Sequence, residues 1–436
     1  MDSMAFLLKE FEAVFALHFA HRSMAEWLFF FMPFYVFGEF PMYVLPAVFL
    51  GVLSLLGFGG SDHERKRAFL CTYPSVSVLL VGLNEEAGIE RAIDSLLELE
   101  YPELDIVVVD DGSTDRMYEL ARPYADRGQI KLIKNTGATG RAGRPSVSNL
   151  AEHMSRSDFV ISVDADTSFD RDILLHMIGP FYDPEVGAVA GNIKARNVAT
   201  SVLARLQAVE YSISIGIWKR FLNLLGANIQ ASGAFGAFRR EALEQVGGWS
   251  PELAEDADLS LKIRRSGWRV VFAPQAIAMT CVPESLKTLI SQRNRWDRGM
   301  LRTYFHKHGS LLNFIRYDSK IFAVAAADGF FTVVMSFVYV FWLLYMIFTC
   351  PVILGCVLAI TYGAYVLSLL VPLVVSLVFS ERRAVEWRLL PVVMIFPLYK
   401  EFFRWVRLYA LTMESFRINY EDPYLPATAW SNAEKW

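Results

Sequence analysis

Three acidic motifs occur in order along this chain, and a fourth motif follows them directly before membrane-like sequence. The acidic motifs are Asp110-Asp111-Gly112, Asp164-Ala165-Asp166 and Glu255-Asp256, and the fourth is Gln292-x-x-Arg295-Trp296. Each motif alone consists of common residues that occur often by chance. As an ordered set at strand ends and on helices, the motifs constrain one another and restrict the chain to few folds.

Short β-rich runs alternate with helical patterns in the middle of the chain. The runs cover 76–81, 105–109, 130–133, 159–163 and 188–190, and a helix is predicted over 86–98. This alternation indicates an α/β fold with a mostly parallel sheet and right-handed crossovers. Ligands bind such sheets at the carboxyl ends of the strands, where the first two acidic motifs lie. The sequence therefore predicts a functional site at this edge.

Apolar sequence flanks this central region on both sides. The chain has 436 residues, 54% of them hydrophobic, which is too apolar for an ordinary soluble protein of this length. The run over 27–58 predicts one tilted span from about Pro41 or two short passes. The runs over 321–349 and 352–380 predict two spans joined by a turn at Cys350-Pro351.

A third span candidate after these two begins at Trp387. Its apolar part ends near Tyr399, which is too short to cross a bilayer. Charged residues follow it, namely Lys400, Glu401, Arg404 and Arg407. The segment either spans with a polar face toward the protein or a channel, or bends along the interface.

Basic residues indicate which side of the membrane the central region occupies. They cluster at 65–67 and again at Arg382-Arg383, and such clusters favour the cytoplasmic side. The N-terminal apolar region is expected to remain as an anchor, because it begins late and is too long for a signal peptide. A net charge of -4 argues against a nucleic-acid partner. The four cysteines lack the spacing of a disulfide framework or a zinc site.

These patterns divide the chain into five predicted parts. They are an N-terminal membrane region over 1–62, a central α/β domain over 63–282, amphipathic interfacial helices over 283–318, a C-terminal transmembrane region of two to three spans over 319–412, and a tail over 413–436.

Carboxylates at the strand ends allow a structural and a functional interpretation. Asp, Gly and Ser are favoured turn residues, so Asp110 to Ser113 predicts a plain turn when it is taken alone. A buried carboxylate there can instead accept a hydrogen bond from a nucleotide base. Asp164 and Asp166, one residue apart at a strand end, can share a divalent cation with a diphosphate.

The motifs together resemble one enzyme family, the processive inverting glycosyltransferases of family two, which includes cellulose, chitin, hyaluronan and poly-N-acetylglucosamine synthases. The resemblance covers roughly Val76 to Gly299. It is carried by 79–86, Asp110-Asp111-Gly112, Asp164-Ala165-Asp166, Ala254-Glu255-Asp256 and Gln292-x-x-Arg295-Trp296.

The resemblance implies a GT-A-type, Rossmann-like domain and a role for each motif. Asp256 would be the general base that takes the proton from an acceptor hydroxyl, with Glu255 in support or only as a helix N-terminal carboxylate. Asp166 would hold Mg²⁺ or Mn²⁺. The nucleotide-binding residues would be Asn84, Glu85, Asp110, Asp111, Arg144 and Asp164.

Two further elements are placed on the acceptor side by the resemblance. Gln292, Arg295 and Trp296 share one helix face and would meet the diphosphate and the acceptor sugar. Taken alone, that helix is an interfacial one, in which Arg293 and Arg298 are predicted to contact lipid headgroups. Ser232 and Gly233 would form an acceptor loop, or a plain turn.

The chain departs from the family pattern at two positions. Ala254 stands where a Thr commonly precedes the Glu-Asp pair, so the pose of Asp256 is less constrained. Arg144 stands where the family usually has Lys, and it keeps the charge but presents it to phosphate differently.

The leading functional hypothesis is a membrane-embedded, metal-dependent synthase that extends a β-linked polysaccharide from a UDP-sugar and exports it. UDP-N-acetylglucosamine is slightly favoured over UDP-glucose as the donor. The implied partners are the bilayer, the growing polysaccharide or a glycolipid acceptor, and an accessory membrane subunit. The alternatives are a transferase that adds one sugar to a lipid carrier, and a membrane transporter or scaffold with a degenerate nucleotide-binding domain.

Overall fold

The structure is a computed structural model. It describes residues 23–31, 40–56, 63–135, 142–309 and 330–416, together with the isolated residues 9, 13, 16, 323, 324, 326 and 327. The predicted segments over 32–39, 57–62, 310–320 and 417–436 therefore lie outside the described residues.

The centre of the fold is an eight-stranded sheet with the strand order β3-β2-β1-β4-β7-β6-β8-β5. The strands are β1 (Val76–Gly82), β2 (Leu104–Asp110), β3 (Lys131–Lys134), β4 (Phe159–Asp164), β5 (Ser168–Phe169), β6 (Val186–Ala195), β7 (Phe235–Arg239) and β8 (Arg269–Thr280). The predicted strands all form, and β2 and β4 end on the acidic residues Asp110 and Asp164.

The prediction of a mostly parallel sheet is confirmed, because six of its eight strands run in one direction, including the parallel pair β6 and β8, and only β7 and β5 are reversed. The strands β3, β2, β1 and β4 pair in parallel, but β7 runs antiparallel to both β4 and β6. The region predicted at 188–190 belongs to the ten-residue strand β6, whose partner β7 is only five residues long. The direction of β7 depends on pairing with distant strands, which its short sequence does not encode.

The helices of the described residues either cover the two faces of the sheet or flank it. In order they are α1 (Met24–Phe31), α2 (Leu45–Leu55), α3 (His63–Leu70), α4 (Ile89–Leu97), α5 (Met117–Asp126), α6 (Arg144–His153), α7 (Ile173–Ile178), α8 (Val202–Ile213), α9 (Arg220–Leu224), α10 (Arg240–Val246), α11 (Glu255–Arg265), α12 (Leu286–Leu301), α13 (Met335–Thr349), α14 (Pro351–Phe379), α15 (Arg383–Glu386) and α16 (Phe396–Ser415). π-Helical turns extend α8 over Ser214–Lys219 and α12 over Arg302–Lys307.

Alternate residues of each central strand point into two separate hydrophobic layers. Val78 and Leu80 of β1 pack with α4, α5 and α7, whereas Leu79 and Val81 pack with α6, α10 and α11. Burying each such side chain stabilises the fold by about 1.5–3 kcal/mol. The two layers hold the strand ends of β1, β2 and β4 rigidly at one edge.

Apolar helices flank this sandwich, as the sequence predicts. Among the described residues one helix is long and apolar enough to cross a membrane, over Ile353–Phe379. Shorter apolar helices cover Phe40–Leu55 and Met335–Thr349. The predicted junction at Cys350-Pro351 separates α13 from α14, and α16 carries the charged residues of the third candidate segment.

A buried ion triad joins α12 and its π-helical extension to the end of α16. Arg298 Nε donates to Glu414 Oε2 at 2.9 Å, and Arg302 Nε donates to Glu414 Oε1 at 2.8 Å. The Glu414 side chain is 1% exposed and that of Arg298 is 4% exposed. The sequence offered no role for this glutamate, which lies 116 residues from Arg298.

We expect Glu414→Gln to destabilise the detergent-solubilised protein strongly. Removing one partner of a buried ion pair leaves uncompensated charge and costs about 3–5 kcal/mol. The apparent melting temperature of purified protein measures the effect. Glu90→Gln, at an exposed position of α4, is the matched control, and equal melting temperatures for the two variants would show that the triad contributes no stability.

Candidate active site

The carboxyl end of β2 holds two buried aspartates with different surroundings. Asp110 is 0% exposed, and its Oδ1 accepts a hydrogen bond from the Ser113 backbone at 2.9 Å. This is the local turn that the structural interpretation predicts. Asp110 Oδ2 is buried and lacks a hydrogen-bond partner among the described residues, so one acceptor is left that a base N–H would satisfy.

Asp111 holds the chain that leads into α6. Its Oδ1 accepts from Asn135 Nδ2 at 2.8 Å and from the Ala142 amide at 2.9 Å, and its Oδ2 accepts from the Gly143 amide at 2.9 Å. Both oxygens of this carboxylate are therefore engaged by the protein. The carboxylate fixes the start of the helix that carries Arg144.

The loop after β1 brings Asn84 and Glu85 to the same edge. Asn84 has a positive φ of 57°, and its side-chain oxygen accepts from the Thr114 amide at 2.8 Å, which ties this loop to the one after β2. Burial, followed by the charges of Asp166 and Asp164, raises the pKa of Glu85 to about 7. Glu85 thus belongs to an acidic cluster formed with the residues at the end of β4.

Asp164 and Asp166 stand at the end of β4, beside the end of β8. Asp166 Oδ1 accepts from Thr280 Oγ1 at 3.0 Å. Burial and the charge of Asp164 raise the pKa of Asp166. A carboxylate whose pKa is raised by a neighbouring like charge marks a position where a bound cation is favoured.

Arg144 connects this acidic pair to the residues at the start of α11. Its guanidinium pairs with Asp164, lies 3.4 Å from Glu255 through Nε, and donates from Nη2 to the Gly233 carbonyl at 2.7 Å. Burial opposes the charged form, but Asp164 and Glu255 outweigh it and hold the pKa of Arg144 above its ordinary value. One side chain therefore contacts the predicted donor site, base region and acceptor loop.

Glu255 and Asp256 occupy the first turn of α11. Asp256 Oδ2 accepts from the Gly233 amide at 2.9 Å and from Gln230 Nε2 at 3.2 Å, so the Ser232-Gly233 loop orients it. Burial and the adjacent Asp256 raise the pKa of Glu255 to about 7, against the opposing charge of Arg144. Glu255 therefore combines a helix N-terminal position with a contact to Arg144.

The helix α12 carries Gln292, Arg295 and Trp296. Ser285 Oγ caps it by accepting from the Thr288 amide at 3.1 Å, and all three motif residues line one cavity, as their shared face predicts. The prediction that Arg293 and Arg298 contact headgroups is wrong. Arg293 donates to Glu210 Oε2 of α8 at 2.6 Å, and Arg298 is buried against Glu414, because acidic partners distant in sequence fold against α12.

The cavity has a volume of about 590 Å³ and joins the predicted site to the apolar helices. Of the residues predicted from sequence, Arg144, Asp164, Asp166, Ser232, Glu255, Asp256, Gln292, Arg295 and Trp296 line it. Asn84, Glu85, Asp110, Asp111 and Gly233 are not among its lining residues. Part of the wall is formed by apolar and aromatic side chains such as Tyr43, Leu369, Phe396 and Phe403.

The cavity also contains residues that the motifs did not single out. Lys400, Arg404 and Arg407 of α16 line it, which supports the alternative in which the third candidate segment turns a polar face toward the protein. Glu210 and Lys219 line it as well. Both belong to the long helix after β6, and nothing in their local sequence distinguishes them from an ordinary amphipathic pattern.

The carboxylates at the end of β4 fit a divalent cation that is shared with a ligand. Among the described residues no group of three or more His, Cys, Asp or Glu side chains forms a complete metal cage. Mg²⁺ is commonly held by one or two carboxylates together with substrate phosphates. Asp164 and Asp166 supply such a pair. A bound cation would relieve the electrostatic repulsion between their two carboxylates.

Comparison with known proteins places the chain in a family. Poly-beta-1,6-N-acetyl-D-glucosamine synthase of Staphylococcus epidermidis is 32% identical over 241 residues, or 55% of this chain and 56% of the relative. The protein of that name from Staphylococcus aureus strain COL is 34% identical over 236 residues, or 53% and 56%. The matched part of the chain thus spans just over half the length of these relatives.

A solved structure shows the same fold. The mannosyltransferase PcManGT from Pyrobaculum calidifontis, in complex with GDP-Man and Mn²⁺, superposes with a TM-score of 0.56 at 19% identity, covering 86% of this chain and 99% of that one. The predicted GT-A-type fold is confirmed. The glycosyltransferase-like family 2 profile matches residues 74–299, which contain every acidic motif and Gln292-x-x-Arg295-Trp296. The chain therefore belongs to glycosyltransferase family 2, as its motifs indicate.

Proposed function

We propose that this protein is a membrane-embedded, metal-dependent β-glycosyltransferase that polymerises a sugar from a UDP-sugar, with UDP-N-acetylglucosamine as the favoured donor. The observation that carries the proposal is one cavity that contains Asp256 together with side chains of the apolar helix α14 and of α16. A growing chain extended at Asp256 has a direct path toward these helices. The names of the relatives support N-acetylglucosamine as the sugar.

The donor end of the site is built from strand ends. Asp110 offers its unpaired buried oxygen to the base, and Asp111 holds the chain that places Arg144. Asp164 and Asp166 would hold Mg²⁺ or Mn²⁺, which neutralises the diphosphate leaving group when bound. Arg144 and Arg295 both line the cavity and both interact electrostatically with Glu255, and their planar guanidinium groups can bind phosphate oxygens in pairs.

The transfer step uses Asp256 as general base. Its carboxylate takes the proton of an acceptor hydroxyl as that oxygen bonds to the anomeric carbon. The bond from the anomeric carbon to the diphosphate breaks on the opposite face, and UDP leaves with the electron pair. An α-linked donor thereby gives a β-linked product. Trp296, on the cavity wall, presents a face on which the acceptor sugar can stack.

The part of the chain outside the catalytic domain is assigned to the membrane. The helices α2, α13 and α14 would embed the protein, with the catalytic domain on the cytoplasmic side, where the basic clusters lie. We propose the same five parts that the sequence predicts, with 63–282 as the catalytic domain. The interfacial helix α12 lies between this domain and the C-terminal transmembrane region over 319–412.

A donor and product screen tests this function. We expect membrane vesicles that contain the protein to convert radiolabelled UDP-N-acetylglucosamine into a ladder or polymer that a linkage-specific hydrolase degrades. UDP-glucose, and N-acetylglucosamine attached to a nucleotide other than UDP, serve as donor controls. A single labelled glycolipid would contradict polymerisation and support the one-addition transferase, whereas absence of UDP release with every donor would contradict the enzymatic proposal itself.

A further inference from the structure

The π-helical turn Ser214–Lys219 places a lysine in the wall of the cavity. The turn interrupts the regular helix between α8 and α9, and π-helical turns are frequent at functional sites because they redirect a side chain. Lys219 is the last residue of the turn and lines the same cavity as Asp256. No motif of the family resemblance includes it.

Two of the helices that pack against this turn are apolar. The turn packs against α2 and α14, and neither helix sequence contains an acidic or basic residue. The Lys219 side chain is half-buried, and an ammonium group that is partly removed from water without an ion-pair partner among the described residues carries a desolvation cost. A Met side chain would pack there at a smaller desolvation cost. A charged side chain at this position is therefore expected to make a polar contact on the side of the cavity.

The polar contacts of Lys219 lead to the proposed base. Lys219 Nζ donates to the Gln230 carbonyl at 3.5 Å, and Gln230 Nε2 donates to Asp256 Oδ2 at 3.2 Å. Among the described residues, Lys219 donates one hydrogen bond, to the Gln230 carbonyl. Its length of 3.5 Å is long for an ammonium group, which has three donors. Burial lowers the pKa of Lys219 to about 8, partly offset by the charge of Asp256.

We propose that Lys219 is an acceptor-binding residue, which donates a hydrogen bond to an oxygen of the acceptor sugar beside the hydroxyl that Asp256 deprotonates. This inference rests on the proposed glycosyl transfer. An ammonium group only donates and a carboxylate only accepts, so the two side chains together orient neighbouring oxygens of one sugar. Other charged or titratable side chains in the lining of this cavity include Arg144, Glu255, Arg295 and Tyr304.

The test compares Lys219→Met and Lys219→Arg with the unaltered protein in vesicles. We expect Lys219→Met to lower the rate of sugar transfer at saturating UDP-sugar by about 10²-fold, since a misplaced acceptor reacts slowly, and to leave UDP binding within twofold. The transfer rate of the unaltered protein should fall as the pH rises through about 8, where Lys219 loses its charge. Lys219→Arg should keep part of the activity and move this loss to higher pH.

A neighbouring basic residue provides the matched control. Arg220 follows Lys219 directly, stacks its guanidinium on the Phe379 ring at 5.1 Å and lies outside the lining of the cavity. Arg220→Met should keep the transfer rate within about threefold after correction for the amount of folded protein. Unchanged transfer in Lys219→Met, or an unmoved alkaline limb in Lys219→Arg, would overturn the inference. Transfer by the unaltered protein in the same vesicles separates this failure from failure of the proposed function.

Discussion

Asp256→Asn is expected to reduce sugar transfer by about 10³-fold or more while UDP binding stays unchanged. General-base catalysis contributes about 10²–10⁴-fold, and the amide cannot accept the hydroxyl proton at neutral pH. Asn is nearly isosteric with Asp. Its amide oxygen can still accept the hydrogen bonds that the Gly233 amide and Gln230 Nε2 donate to Oδ2 of the aspartate. UDP release from labelled donor and calorimetric binding of UDP measure the two quantities.

The matched control is Asp126→Asn at the end of α5, where the carboxylate is exposed in a surface ion pair with Arg122. Surface pairs of this kind contribute about 0–1 kcal/mol, so this variant should transfer sugar at the unaltered rate. Glu255→Gln adds a second comparison, because Glu255 adjoins Asp256 but contacts Arg144. A turnover of Asp256→Asn equal to that of Asp126→Asn would remove Asp256 from the role of base.

The half of the fold that carries the donor site could be predicted from sequence because its signals are local. The strands β1, β2 and β4 are runs of Val, Ile and Leu that end at Gly82, Asp110 and Asp164. Burial on both faces makes such runs continuous, and the polar residue that ends each run marks the sheet edge. The position of Asp110 and Asp164 at one edge follows from the parallel pairing of β2 and β4 with β1.

The other half depends on contacts that local patterns do not encode. Arg293 looked like a headgroup contact because Arg and Trp on an amphipathic helix are typical of an interface. Its partner Glu210 is 83 residues away, and Glu414 is 116 residues from Arg298. These pairs fix α12 against α8 and α16, and they determine which face of α12 is left for the cavity.

The same limit applies to the acceptor loop. Ser232-Gly233 is a turn by its residue types, yet the Gly233 amide contacts Asp256 and the Gly233 carbonyl contacts Arg144. A Cβ at this glycine would lie 3.4 Å from the Asp256 side chain. The turn and acceptor-loop interpretations are therefore compatible, because a tight turn is what brings a backbone amide to the carboxylate.

Removal of the proposed metal ligand is the second substitution that is expected to lower sugar transfer strongly. Asp166 accepts from Thr280 at 3.0 Å and shares the end of β4 with Asp164, and burial together with the charge of Asp164 raises the pKa of Asp166. Stabilising the charge of the leaving diphosphate is worth several kcal/mol, and each 1.36 kcal/mol is about tenfold in rate. We therefore expect Asp166→Asn to lower sugar transfer by at least about 10²-fold, and EDTA to do the same to the unaltered protein.

Binding of UDP in the presence and absence of Mn²⁺ distinguishes a metal ligand from a merely structural carboxylate. The unaltered protein should bind UDP more tightly with Mn²⁺, and Asp166→Asn should lose that difference while its affinity without Mn²⁺ does not fall. Asp170→Asn is the control, since Asp170 lies four positions along the chain at an exposed site and should keep the metal effect. If Asp166→Asn retained tighter UDP binding with Mn²⁺, the pair at the end of β4 would not hold the cation. Glu85 would then be a candidate for that role at this edge, since burial and the charges of the same two aspartates raise its pKa to about 7.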